Sequence, residues 1–222
     1  MDSSGYCFAA LAGNLSTLRG EVLTLRKEKF ACVNGTILLS TEGVNIRLSG
    51  PSAEITAFKT ELDALLKMTT SIQYKDTLVS GGSMSLPRFL VKVKKELISM
   101  GMERADPSKE PSPASHLSPV DFHEMLARDD VLVLDTRNDY EIRMGKFKNA
   151  VHLPIETFRQ FPSAVEEAAA ASALPKDKKI LMYCTGGIRC EKAAFAMTAA
   201  GFDSENLYQL EGGVSIVPCS NL

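Results

Sequence analysis

The chain has 222 residues, 45% of them apolar, with 25 basic and 27 acidic side chains and a net charge of −2. That length suits one large domain or two small ones, and the near balance of charge excludes an overall basic field, so nucleic-acid contact requires a local patch. No apolar run reaches the roughly 18 residues that span a bilayer, and the opening MDSSGYCFAALAG lacks a charged segment followed by a long apolar one. The expectation is a soluble, cytoplasmic protein with no membrane partner.

Tyr6 to Ala10 predicts a short strand, and Leu15, Leu18, Val22 and Leu25 recur at helical spacing. Thr36 to Thr41 and Val44 to Leu48 flank Glu42-Gly43 as a hairpin, and Ser52 is placed to cap a helix through Phe58, Leu62, Leu65 and Leu66. Strands around Ile72 to Tyr74 and Phe89 to Leu97 close the unit. This order predicts a small α+β ferredoxin-like domain over residues 1–103, with helices on one antiparallel sheet. Residues 104–115, RADPSKEPSPAS, carry three prolines and little to bury, and are expected to form a linker.

Beyond it, residues 116–222 change to an α/β rhythm. Ser118-Pro119 opens a helix with Phe122, Met125 and Leu126, and VLVLD is a buried-type strand. KKILMYC is a second strand, TGGIR a tight loop, CEKAAFAMTAAGF a helix stopped at Gly201, and NLYQL a third strand.

Five irregularly spaced cysteines argue for thiols rather than a disulfide framework. Cys7, Cys32 and Cys219 are expected to fill cores. His116, His123 and His152 are scattered and no CxxC or HxxxH pair occurs, so no metal site is expected and no cofactor motif is visible.

Cys184 is different. Its strand delivers it to the carboxyl end of a parallel sheet, where ligand crevices of open α/β sheets lie. Gly186 and Gly187 allow positive φ, so the backbone amides from Thr185 through Ile188 to Arg189 can ring one spot, and the helix beginning near Cys190 adds its dipole. A sulfur in that ring, with Arg189 nearby, is expected to be a thiolate and a nucleophile. Cys190 either packs under the first helical turn or resolves an oxidised Cys184 by disulfide formation. Only TGGI separates Cys184 from Arg189, a tighter ring than the Cys-x5-Arg loop of the cysteine phosphatases, and one suited to a group smaller than phosphate.

Asp135-Thr136-Arg137, Glu141, Gly145, AVHLP, YCTGGIR and LEGG, in that order, resemble the motifs of rhodanese domains. LSPVDFHEML, DTRNDYEIRMGKFKNA, FRQFP and CTGGIRCEKA more closely resemble the rhodanese-containing tRNA uridine hydroxylases, to which GTILLSTEGVN and VKVKKELISMG of the first half are also similar. The resemblance implies a parallel rhodanese sheet flanked by helices behind the ferredoxin-like domain. It also implies oxygen-dependent conversion of the wobble uridine of certain tRNAs to 5-hydroxyuridine, with molecular oxygen as co-substrate. By the same comparison Cys184 is the essential cysteine, carrying a persulfide or related sulfur that Arg189 and the loop amides stabilise. Asp135, Arg137 and Glu141 brace the site.

Two departures from the family stand out: VNIRLS at Val44 to Ser49, and the end after Glu211-Gly212-Gly213. There a further helix and a cysteine-rich tail are expected, and this chain instead reads VSIVPCSNL. Two other functions are compatible with the residues: a sulfurtransferase drawing on a sulfur donor or reductant, and a non-catalytic binding module. Arg88, Lys92, Lys94 and Lys95, with Lys75, are candidate phosphate contacts for tRNA, or else the charged guard of an edge strand.

Overall fold

Buried and half-buried residues alternate along β1 (Asp2–Phe8), the pattern of a strand whose sheet is covered on one face only. In the computed structural model, which describes residues 1–79 and 85–216, the chain divides into two compact units, Met1–Leu97 and Ile98–Leu222.

In the first unit α1 (Leu15–Lys29) starts at Asn14, whose side chain accepts from the amides of Ser16 and Thr17 at 2.8 and 3.2 Å. Such a cap is worth about 1 kcal/mol. A hairpin follows, β2 (Asn34–Ser40) and β3 (Gly43–Ser49), with Ser40 paired to Gly43 across the turn. In α2 (Ser52–Leu66) the expected capping serine is the first helical residue, and the cap position is Pro51, which has no side-chain hydrogen bond to offer. β4 (Lys75–Thr77) begins just past the expected strand, and β5 (Phe89–Val93) is shorter than expected.

The strand order is β4-β1-β3-β2-β5. β3 lies antiparallel between β1 and β2, and β4 runs antiparallel to β1, which is the ferredoxin-like arrangement. The sheet is mixed rather than antiparallel, because β5 pairs parallel to β2. With β4 occupying the outer edge of β1, the open ladder is that of β2. Gly35 N donates to Arg88 O at 2.9 Å and Lys94 N to Leu39 O at 2.8 Å to close it. Val22, Phe58 and Leu62 of the helices pack with Ile37, Val44, Ile46 and Val91, all on one face of the sheet. Cys7 joins this core as expected, whereas Cys32 is exposed, because it sits in the turn between α1 and β2. Cys219 lies outside the described residues.

The second unit builds β6 (Ser115–Leu117), α3 (Pro119–Leu126), β7 (Val131–Asp135), α4 (Asp139–Ile142), β8 (Val151–His152), α5 (Phe161–Ala170), β9 (Lys179–Tyr183), α6 (Ile188–Ala199) and β10 (Leu207–Leu210). Its sheet, β6-β10-β9-β7-β8, is parallel at every pairing. Both faces are covered. Phe161, Val165, Ala193 and Met197 pack with Leu134, Ile180 and Met182, while Phe122 and Phe147 pack with Val133, Leu181 and Tyr183. Ser118 caps α3 by accepting from Asp121 N at 3.2 Å, with Pro119 in the first turn.

Residues 104–115, expected as a linker with little to bury, contribute to this second core. Ala105 and Ala114 are buried in the same cluster as Met100, and β6 begins at Ser115. Small side chains reach the core from an irregular backbone whose turn is held by its own polar groups. Ala105 N donates to Met102 O, and Asp106 accepts from the amide and hydroxyl of Ser108.

Candidate active site

β9 ends at Tyr183, and the next residue, Cys184, is fully buried. Gly187 then takes φ 94°, a left-handed conformation that favours glycine, and serves as the cap residue from which α6 departs. That turn aims the Gly187 amide at Cys184 Sγ, 3.0 Å away. Burial alone would raise the thiol. The hydrogen bond from Cys190, the charge of Arg189 and the amides of Arg189 and Gly187 outweigh it and bring Cys184 down to about 5. Burial and the adjoining sulfur push Cys190 up, so Cys190 is the thiol that donates and Cys184 the sulfur that accepts. Cys190 is itself fully buried, and Thr136 Oγ1 lies 3.7 Å from its sulfur. The sulfur expected at an open rim is thus enclosed, yet the loop dipoles converge on it.

Arg189 is held by Glu141 through two 2.6 Å hydrogen bonds, Nη1 to Oε2 and Nη2 to Oε1. Thr185 Oγ1 donates to Glu141 Oε1 at 2.6 Å, and Asn138 N to Oε2 at 3.2 Å. Partial burial opposes the charge of Glu141, but the Arg189 and Thr185 hydrogen bonds hold its carboxyl down to about 2. Glu141 therefore ties α4 to the Cys184 loop and orients the guanidinium beside the sulfur. Gly186 is half-buried in the loop and Ile188 is buried in the first turn of α6.

Asp135 and Arg137 form a separate clamp. Arg137 donates to both carboxylate oxygens of Asp135 at 2.7–3.1 Å and to Gly145 O at 2.7 Å, joining the end of β7 to the segment after α4. The guanidinium also lies 5.4 Å from the centre of the Tyr183 ring.

Sequence reasoning missed a second hold on that loop. Val214 N donates to Cys184 O at 3.0 Å, Ser215 N to Thr185 O at 3.0 Å, and Ser215 Oγ to the same oxygen at 2.6 Å. Gly213 makes the approach possible, since a Cβ there would stand 2.5 Å from Cys184 O and 2.7 Å from Gly187 N. The signal available was the pair Gly212-Gly213 one residue after a strand.

Arg88, Lys92, Lys94 and Lys95 are all exposed in the first unit, on or beside its outer strand β5. Lys75 does not join their edge. It lies on β4, at the opposite margin of the sheet. Among the described residues no group of three or more His, Cys, Asp or Glu is placed to hold a metal, and no helix is long and apolar enough to cross a membrane.

Two family models match. A UPF0176 acylphosphatase-like domain covers residues 3–97, and a rhodanese-like domain covers residues 118–216. A protein named tRNA uridine(34) hydroxylase from Legionella pneumophila (strain Corby) is 37% identical over 212 residues, 96% of this chain and 78% of its own. Another of that name, from Rhizobium leguminosarum bv. trifolii (strain WSM2304), is 41% identical over 182 residues, 82% of this chain but 56% of its own, so this chain spans little more than half of that relative's length. The Cys184 loop and most of both units lie within the 96% shared with the Legionella protein, and the chain belongs to the tRNA uridine(34) hydroxylase family.

Proposed function

We propose that the protein hydroxylates the wobble uridine of tRNA at carbon 5, with molecular oxygen as co-substrate. The observation that carries this reading is the family likeness through both units, together with a cysteine whose loop stabilises its anion. In such a reaction one oxygen atom enters the base and the other leaves as water, so a reductant supplies two electrons and two protons. This makes the protein an oxidoreductase, and its partners are tRNA and a reductant. The chain's own contribution is electrostatic. The Gly187 and Arg189 amides and the guanidinium hold negative charge on Cys184, or on a sulfur or oxygen atom attached to it, without reorganising during the reaction.

The test is made in cells lacking wobble 5-hydroxyuridine. Expression of the chain restores the nucleoside in digested tRNA measured by mass spectrometry, and Cys184→Ser does not. Equal restoration by both removes Cys184 from the chemistry. A second reading, a sulfurtransferase carrying sulfane sulfur on Cys184, draws on the same anion-holding loop. Incubation with thiosulfate then adds the mass of one sulfur to the intact protein and none to Cys184→Ser.

A further inference from the structure

Both helices of the first unit pack on one face of its sheet, and the strand registers define what lies on the other. Cys7, Leu39, Val44, Ile46 and Val91 face the helices, so the alternate residues face away from them. One row across the sheet runs Tyr6, Asn45, Leu38 and Lys92, and the next runs Ser4, Arg47, Thr36 and Leu90, with Lys75 paired to Ser4. Phe8 is two residues beyond Tyr6 on the same strand, and the two rings are 5.9 Å apart at an interplanar angle of 69°.

We infer that this helix-free face is a binding surface for single-stranded RNA, with Tyr6 and Phe8 as base-stacking platforms and Arg47 and Lys92 as phosphate contacts. The ligand class rests on the reading of tRNA as substrate, and the geometry fits it independently. Tyr6 and Phe8 are half-buried, while Arg47 and Lys92 are exposed. Fixed rings with exposed cations around them match unpaired bases strung on a phosphate backbone. A duplex conceals its base faces in its own stack and offers such rings nothing to stack on. The charge on this face is predominantly positive. Arg47, Lys75 and Lys92 stand on it against Asp2, and Arg88, Lys94 and Lys95 add charge at its outer edge. Glu42, in the β2–β3 turn, is buried, and its carboxylate accepts from Leu97 N at 3.0 Å. An acidic polypeptide would meet the cations equally well but has no use for the rings.

The protein contains no tryptophan, so Phe8→Trp in the full chain installs a single indole reporter. A synthetic RNA stem-loop quenches and blue- or red-shifts its emission on binding, whereas a fully paired duplex of the same length and a polyglutamate do not. Replacing Tyr6 and Phe8 together by leucine keeps apolar bulk and weakens stem-loop binding about tenfold or more. Arg47→Gln weakens binding and reduces the salt dependence by about one phosphate contact. Cys184→Ser leaves all these quantities unchanged. Equal affinity for loop and duplex, capture of polyglutamate as tightly as RNA, an indole indifferent to saturating RNA, or full binding by a folded double-leucine variant each overturns the assignment. Intact quenching without hydroxylation sinks the hydroxylase reading alone, and hydroxylation without quenching sinks the reading of this face alone.

Discussion

At the scale of single residues the site is a balance between burial and a few directed charges. Cys184 gains its anion from Cys190, Arg189 and two amides, against a burial penalty that would otherwise keep it protonated. A thiol held down in this way is ionised above its folded value and becomes neutral as pH falls through it. The ultraviolet absorbance of the thiolate should therefore persist at neutral pH and disappear around pH 5 in the wild type, and Cys184→Ser should lack the transition. Arg189→Lys retains a charge but loses the planar fork that grips Glu141, so its inflection is expected to move upward. Glu141 makes a complementary prediction for stability. Its folded value of about 2 lies below the ordinary carboxylate value of 4.5, so its contribution is complete above 4.5 and is lost as pH falls towards 2. Acid unfolding of Glu141→Gln, followed by circular dichroism, should be less steep across that window, from a lower starting stability. The anion-stabilising loop around Cys184 was legible because a double glycine before an arginine at a strand end has few uses other than ringing an anion. Its enclosure was not, because burial depends on segments distant in sequence.

At the scale of elements, the turn from β9 to α6 carries the Cys184 loop, and the segment after β10 holds that turn in place. Gly213 is at φ 65°, with backbone on three sides of the space a methyl would fill. Gly213→Ala is expected to push the Cys184 loop off its amide geometry, lowering the melting temperature and raising the thiolate inflection together. Simple destabilisation would move only the first. Period and punctuation identified most elements, including α3 through Ser118-Pro119 and the β2–β3 hairpin. Asn14 was overlooked because it precedes a segment of modest amphipathicity, and Asn14→Ala should cost about 1 kcal/mol in denaturant unfolding. Ser52 misled for the opposite reason. A good capping residue was present, but Pro51 holds the cap position.

At the scale of the whole molecule there are two cores, one built on a mixed sheet with helices on one face and the other on a parallel sheet covered on both. Phe58 is fully buried between Phe30 and Phe89, at 5.4 and 5.8 Å between ring centres. Phe58→Ala is expected to cost about 3–5 kcal/mol. Hydrogen exchange should report the loss in residues 1–97 while the thiolate transition of Cys184 remains near its original pH. The α/β rhythm of the second half was plain in the sequence, because β7 and β9 are short apolar runs each followed by a helix, whereas β6 (Ser115–Leu117) and the two-residue β8 (Val151–His152) carry too little apolar pattern to be seen. Residues 104–115 were read as a linker because prolines and charges dominate there, and a composition argument cannot see that Ala105 and Ala114 each find a place in a core.

The carbonyls of Cys184 and Thr185 are gripped from behind by Val214 and Ser215. In a planar trans peptide the oxygen and the following hydrogen point to opposite sides, so anchoring those two oxygens fixes the peptide planes of Thr185 and Gly186, from which the turn continues to the Gly187 amide that meets the sulfur. The start of the cradle is thus steadied by a clasp some thirty residues downstream. Alteration of that clasp would change which ions the cradle tolerates while every residue of the loop itself stayed the same.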